Sequence, residues 1–172
     1  MDIPQIETDR LILRGLREED FPAYAQWCTN PKFMKHIGPQ KPISREDAWR
    51  SMAMVVGHWP LRGFGFWALE EKATGELVGR AGLFEPEGWP GTEVGWGLDP
   101  NHWGKGYATE AAKAAVKWGF ENTDNDELIS LISPDNHPSI KVSERIGQTF
   151  SRNFNFHGNE ISIYSLSRSA LK

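Results

Sequence analysis

The sequence predicts an α/β protein built on a mixed sheet, and three observations lead there. Apolar residues recur with a period near two in some segments and near 3.6 in others, so strands and helices alternate along the chain. Their order (strand, two helices, three strands, helix, strand, helix, two strands) fits one mixed sheet with helices packed on it. The 172 residues contain no repeat, low-complexity tract or linker, and the length suits one domain covering residues 1–172. A chain of this size buries roughly 70 % of its unfolded surface and needs no disulfide or metal staple.

Arg10-Leu11-Ile12-Leu13-Arg14 alternates charged and apolar residues as a half-buried strand does. From Arg17 to Asn30, the residues Phe21, Tyr24, Ala25 and Cys28 share one helical face, and Pro31 is expected to help end that helix. Ser44-Arg45-Glu46-Asp47 resembles a capping box with Asp in place of Glu. A second helix should start there, with Ala48, Met52, Val55, Val56 and Trp59 as its buried stripe. Three strands follow over Phe64 to Glu70, Leu77 to Phe84 and Glu93 to Leu98, punctuated by Gly75 and the loop from Pro86 to Gly91. The next helix opens within Trp103 to Thr109 and runs to about Glu121. Its stripe of Ala108, Ala111, Ala112, Ala115 and Gly119 is small enough to lie close to a sheet. Leu128 to Ile132 reads as a buried strand. Pro138 to Ile146 reads as a short helix with Pro near its first turn and Gly147 past its end. Thr149 to Phe156 and Glu160 to Ser167 close the chain as strands.

Composition narrows the function classes. A net charge of −4 argues against binding that relies on Lys and Arg neutralising phosphates, so no direct nucleic-acid partner is expected. The charged, polar start does not look like a signal peptide, and no apolar run approaches the ~18 residues of a membrane span. A cytoplasmic protein without membrane attachment is the expectation. One cysteine, Cys28, gives no disulfide framework and no thiolate metal site, and it falls on a buried stripe as core rather than nucleophile. His36, His58, His102, His137 and His157 lack ligand spacing, so no metal is expected. Eight tryptophans pack core and surface, with Trp59, Trp67 or Trp96 as candidates to line a pocket.

The segment Trp103-Gly104-Lys105-Gly106-Tyr107-Ala108-Thr109 joins a strand end to a helix start. The first N–H groups of a helix lack intrahelical partners and the dipole adds positive charge, so such a turn suits an anion. Gly104 and Gly106 would let a pyrophosphate approach the backbone, Ala108 intrudes little, and Lys105 adds a cation at the rim. A P-loop would need Gly-x-x-x-x-Gly-Lys before Ser or Thr, and a dinucleotide fingerprint would need Gly or Ala where Thr109 stands. Neither fits.

With these letters in view, the chain resembles the GNAT superfamily of N-acetyltransferases, whose acetyl-CoA loop reads Gln/Arg-x-x-Gly-x-Gly/Ala. Gly106 and Ala108 match that loop, while Trp103 stands in place of Gln/Arg. More narrowly, the chain is similar to the branch containing the ribosomal-protein N-terminal (alanine/serine) acetyltransferases. Glu7-Thr8-Asp9-Arg10-Leu11-Ile12-Leu13-Arg14 resembles that branch's opening strand, and Asn136-x-x-Ser139-x-x-Val142-x-Glu144-Arg145-Ile146-Gly147 resembles its fourth helix. The likeness runs from about residue 6 to 168. It implies a mixed, mostly antiparallel central sheet of about seven strands, flanked by about four helices, whose fourth and fifth strands splay apart. Acetyl-CoA would enter between those strands as acetyl donor. Its pantetheine would pair with backbone at Trp96, Gly97 and Leu98, and its pyrophosphate with amides from Gly104 to Thr109. Asn136 and Ser139 would approach its thiol end.

The reaction so implied is direct attack of a primary amine on a thioester, the acceptor being a small molecule or a protein N-terminus. The amine must be neutral. Deprotonation at pH 7 costs about 5 kcal/mol for a lysine-type amine and about 1 kcal/mol for an α-amine, so a general base helps both. By resemblance Glu93 is the candidate base, directly or through a water, and a backbone N–H near Gly97 or Leu98 holds the oxyanion. Where many relatives carry a tyrosine as general acid, this chain has Ser143, and Ser139 is the candidate substitute. Glu85, Glu87 and Glu93 hint at a cationic acceptor. A non-catalytic acyl-CoA-binding module is the alternative, and a monomer or homodimer fits equally.

Overall fold

The structure is a computed structural model that describes residues 2–171. Its described residues form eight strands: β1 (Ile6–Glu7), β2 (Leu11–Arg14), β3 (Phe66–Glu71), β4 (Leu77–Phe84), β5 (Glu93–Leu98), β6 (Glu127–Ile132), β7 (Thr149–Phe156) and β8 (Asn159–Ser167). The helices are α1 (Phe21–Thr29), α2 (Pro31–Met34), α3 (Arg45–Arg62), α4 (Tyr107–Asn122) and α5 (His137–Arg145). All strands join one sheet in the order β1-β2-β3-β4-β5-β6-β8-β7. Neighbours run antiparallel except β5 and β6, which α4 connects as a parallel pair.

The α/β expectation holds, with two additions and a shortened helix. Strand β1 is a two-residue pairing of Ile6 with Leu13 and Glu7 with Ile12, too short to leave a periodic signal. The first helix begins at Phe21, after a 3-10 turn over Glu18–Asp20, because Pro22 has no N–H and its ring disfavours a continuous ladder from Arg17. Pro31 does more than end α1. It occupies the first position of α2, where a missing N–H costs nothing, and Asn30 caps that turn by accepting from the Lys32 N–H at 2.9 Å.

Ser44 caps α3 as expected, its Oγ accepting from the Asp47 N–H at 3.0 Å. The return half of the box is absent, since the Asp47 carboxylate pairs with Arg50 at 2.6 Å. Val56 does not belong to the buried stripe of α3; it is exposed, and His58 is buried instead. His58 tolerates the interior because both ring nitrogens have partners, Nδ1 the Phe64 carbonyl at 2.6 Å and Nε2 the Glu85 N–H at 2.9 Å.

Two apolar clusters cover the faces of the sheet. One joins Leu11, Leu13, Trp67, Leu69, Leu83, Val94 and Leu98 to Ala111, Ala112 and Ala115 of α4. There Gly119 allows close approach, since a Cβ on it would stand 2.8 Å from Leu83. The other joins Phe66, Ala68 and Phe84 to Tyr24, Cys28, Phe33, Ala48, Met52 and Val55 of α1 to α3. Trp59 and Trp67 lie in the first cluster, at 1 % and 0 % exposure, and so line no pocket. Their rings meet edge to face, with centroids 4.9 Å apart.

A partly buried ion cluster fastens the first helix to the sheet. Arg14 on β2 donates to Asp20 at 2.8 and 2.9 Å and to Glu70 on β3 at 2.7 Å. Burial pushes the Asp20 carboxyl upward, but the Arg14 guanidinium and the Arg17 N–H outweigh it and hold the group below its ordinary value. A depressed carboxylate contributes stability that is present above its unfolded pKa and lost as pH falls through the folded one. Asp20→Asn, followed by urea unfolding, should therefore lose about 3 kcal/mol at pH 7, the low end for breaking a buried pair. The difference between wild type and variant should shrink as pH drops below 4.

Candidate active site

Strands β5 and β6 meet at one bridge, Glu93 with Ile129, and separate beyond it. The Ile129 N–H reaches the Thr92 carbonyl at 3.0 Å, and the Ser130 hydroxyl closes the Val94 carbonyl at 2.6 Å. On its other side β5 pairs with β4 along its whole length. The Asp99 N–H bonds the Val78 carbonyl, so the alternation of an antiparallel ladder turns the backbone groups of Gly95 and Gly97 toward β4. Those of Trp96 and Leu98 face the gap. The Leu98 carbonyl accepts from the Trp103 indole at 2.8 Å, which leaves the Leu98 N–H and both backbone groups of Trp96 without a partner among the described residues.

The gap widens into a cleft of about 1140 Å³. It is lined by Glu93, Trp96, Gly97, Leu98, Trp103, Gly104, Gly106, Tyr107, Ala108, Thr109, Asn136 and Ser139, every residue that the resemblance assigned to catalysis or donor binding except Lys105; of the other residues marked, Trp59, Trp67, Glu85 and Glu87 do not line it. The Lys105 carbonyl accepts from Arg10 at 2.8 Å, and its ammonium sits 3.3 Å from His102 Nδ1.

Gly104 and Gly106 carry the turn into α4 with φ of +78° and +84°, left-handed values that glycine adopts without strain. Gly106 is the N-cap of α4, and no side chain among the described residues caps the amides of the first turn. A latch fixes this turn. Glu110 accepts from the Thr8 hydroxyl at 2.7 Å, the Arg10 N–H at 2.8 Å and Arg10 Nε at 2.8 Å, while the Arg10 guanidinium stacks 4.5 Å from the Tyr107 ring. Tyr107 donates its hydroxyl to buried Glu71. The opening motif and the glycine turn are therefore one mechanical unit.

Glu93 stands where β5 and β6 part. Its Oε2 accepts from the Trp89 indole at 2.8 Å. Desolvation, opposed by that indole, by the Leu131 N–H and by the charge of Arg80, holds the carboxyl above its ordinary range. On the far wall Asn136 caps α5, its Oδ1 accepting from the Ser139 N–H at 3.4 Å. The Ser139 hydroxyl is free of that duty and accepts from the Trp96 indole at 3.3 Å. Ser143 is buried and donates to the Ile140 carbonyl at 2.8 Å, away from the cleft.

A family model described as an acetyltransferase (GNAT) domain matches residues 10–149. The chain belongs to this family. The N-acetyltransferase p20 of Bacillus licheniformis is 30 % identical over 137 residues, covering 78 % of this chain and 76 % of that protein. The structure of an acetyltransferase from Agrobacterium tumefaciens str. C58 superposes with a TM-score of 0.87 at 32 % identity, covering 98 % and 96 % of the two chains. RimL, a ribosomal L7/L12 α-N-protein acetyltransferase solved with coenzyme A, shares the fold at a TM-score of 0.78 and 19 % identity, over 97 % of this chain and 99 % of RimL.

The GNAT cleft also holds residues for which the sequence carries no local signal. Phe66, Phe84, Trp89 and Phe156 wall the end near Glu93, and Arg80 enters from β4. Trp89 lies in the loop from Pro86 to Gly91, and its role appears only through its contact with Glu93. Cutting the latch tests whether the turn depends on it. In Glu110→Ala, amide exchange at residues 105–110 should quicken by about tenfold, as expected when a local unit loses its anchoring bonds. Unchanged protection there would show the turn to be held by its own backbone.

Proposed function

We infer that this GNAT chain transfers the acetyl group of acetyl-CoA to a primary amine, with Glu93 as general base. The observation that carries the reading is the raised Glu93 carboxyl at the point where two parted strands expose backbone toward an uncapped helix start. Acetyl-CoA, the donor substrate, supplies an activated thioester carbonyl.

The chain's residues fit that donor. The amides of Tyr107, Ala108 and Thr109 at the α4 start suit a pyrophosphate, and the left-handed glycines clear the approach to them. The open groups of Trp96 and the Leu98 N–H suit an extended amide chain between β5 and β6, which would complete the interrupted ladder. Trp103 acts by capping the Leu98 carbonyl, and Gly97 by admitting α2, since a Cβ on it would stand 3.1 Å from Phe33.

Glu93 removes the proton of the attacking amine, directly or through one water. Its raised pKa narrows the gap to the amine and makes the transfer more favourable. Trp89 and Leu131 orient the carboxylate. A β5 backbone N–H that the amide chain leaves unpaired stabilises negative charge on the carbonyl oxygen as the N–C bond forms. Because Ser139 Oγ accepts from Trp96, its own proton is free for the departing sulfur as the C–S bond breaks.

Glu93→Gln should lower kcat/KM by about 10²- to 10³-fold without changing acetyl-CoA affinity. It should also abolish the acid limb of the pH–rate profile, whose midpoint in the wild type lies above the ordinary carboxylate range. A carboxyl with a raised folded pKa weakens the fold above that pKa, so Glu93→Gln should melt higher than wild type at pH 7 and lose that advantage as pH falls. Turnover within twofold of wild type would remove Glu93 as base. Binding of acetyl-CoA with no acetylated product from free amines or N-terminal peptides would favour a non-catalytic module.

A further inference from the structure

The acceptor half of the cleft contains a cation that no anion among the described residues contacts, its charge reaching Glu93 only at longer range. Lys32, Lys35, Lys141 and Arg145 also line the cleft, but these are exposed to solvent, which stabilises their charges at little cost. Arg80 is half-buried on β4, and among the described residues no carboxylate lies within 4.0 Å of it. The other enclosed arginine of the sheet, Arg14, is treated differently, having both Asp20 and Glu70 in contact. Leaving a partly desolvated guanidinium without an anion is costly unless a ligand supplies one.

Arg80 is also held ready. Its guanidinium packs 4.9 Å from the Phe66 ring and 5.4 Å from the Tyr24 ring. One N–H donates to the Tyr24 hydroxyl at 2.8 Å, and that hydroxyl lies 3.0 Å from Ser51 Oγ. A guanidinium has five N–H donors, so four have no partner among the described residues. Two aromatic faces and one bond fix its plane, the pre-organisation that suits bidentate recognition.

Its placement separates it from the donor. Arg80 pairs with Ala68 and Gly97 across the sheet and touches Phe66, so it stands on the face covered by α1 to α3. Helix α4, whose start suits the pyrophosphate, packs on the opposite cluster. Phe84 and its partner Glu93 occupy the same face as Arg80, four residues along β4. At ~3.3 Å per residue the Arg80 and Glu93 positions are about 13 Å apart along the strands, with Gly82 and Gly95 between them.

We propose that Arg80 binds an anionic group of the acceptor, and that the acceptor is a primary amine that also bears a carboxylate. This rests on the acetyl-transfer reading and names the substrate class for it. The amine meets Glu93 and the carboxylate meets Arg80, so each end finds the opposite charge. One unmatched cation calls for one negative charge, which a carboxylate supplies and a phosphate dianion exceeds. The acidic residues of the loop do not oppose this, because Glu85 is engaged by Thr92 and Glu87 lies out in solvent near Arg62.

The experiment begins with calorimetric titration of acetyl-CoA into wild type and Arg80→Met. Turnover is then measured with ω-amino acids from glycine to 6-aminohexanoate, each beside its primary amide. Diamines of matching length and dipeptide amides with Asp or Asn at the second position complete the panel. At the best chain length the carboxylate form should exceed its amide at least tenfold in kcat/KM, since a site built around a polar group discriminates strongly against its absence. Arg80→Met should reduce that ratio to near one while acetyl-CoA binds within twofold of wild type. Preference for Asp dipeptides over free amino acids would place the carboxylate on a peptide side chain; the reverse would place it on a small molecule, and either supports the proposal. Equal turnover of acids and amides, preference for diamines, or a ratio unchanged in Arg80→Met overturns it and leaves acetyl transfer standing. Failure of wild type to bind acetyl-CoA overturns the transfer reading and this proposal together. If Arg80→Met does not fold, the wild-type ratio decides alone.

Discussion

The interrupted pairing of β5 with β6 is the constraint on which the rest of the structure depends. Parallel strands need a long crossover, and α4 supplies it by packing alanines and a glycine closely on the sheet. That connection delivers the start of α4 to the end of β5, beside the gap, through a turn that only left-handed glycines negotiate without strain. One bridge holds the two strands at Glu93, and past it the edges of β5 and β6 that face each other are unpaired. Buried backbone polar groups require partners, so the gap asks for an amide-bearing ligand in the same way that a sheet edge asks for a strand.

Side chains close the groups that a ligand is not meant to reach. Ser130 takes the Val94 carbonyl, and Trp103 takes that of Leu98. The remaining open groups lie in a short row between Glu93 and the glycine turn before α4. Charge follows the same economy. Arg14 and Arg10 are matched by carboxylates that fasten elements together, at Asp20 and Glu70 in one case and Glu110 in the other. Glu93 and Arg80 both face the cleft and feel each other's charge, but among the described residues they make no contact.

Much of this was legible in the sequence because it is periodic or local. Strands β4, β5 and β7 fall where alternation and turn residues put them, and the glycine turn reveals itself by composition. The family resemblance carried the parting of the strands, which periodicity alone does not encode. What escaped was short or tertiary. Strand β1 has two residues, and α2 has four. Val56 and His58 exchanged places because hydrophobicity ranks valine first, whereas the two hydrogen bonds that let histidine be buried come from Phe64 and Glu85. Trp59 and Trp67 look like pocket aromatics until their mutual packing is seen. Nothing in Val78-Gly79-Arg80-Ala81 shows that its arginine lacks an anion, since that depends on what α1 and β3 place around it.

The account stands on the claim that the parted strands and the α4 turn form one site for acetyl-CoA. Calorimetric titration of the wild-type protein with acetyl-CoA, with ATP as the control, tests it most directly. The account predicts one site per chain with affinity near ~1 μM, an interaction of about 8 kcal/mol, and no heat from ATP, which lacks the amide chain to fill the gap. Binding of ATP as tight as that of acetyl-CoA, or no binding of either, would contradict it.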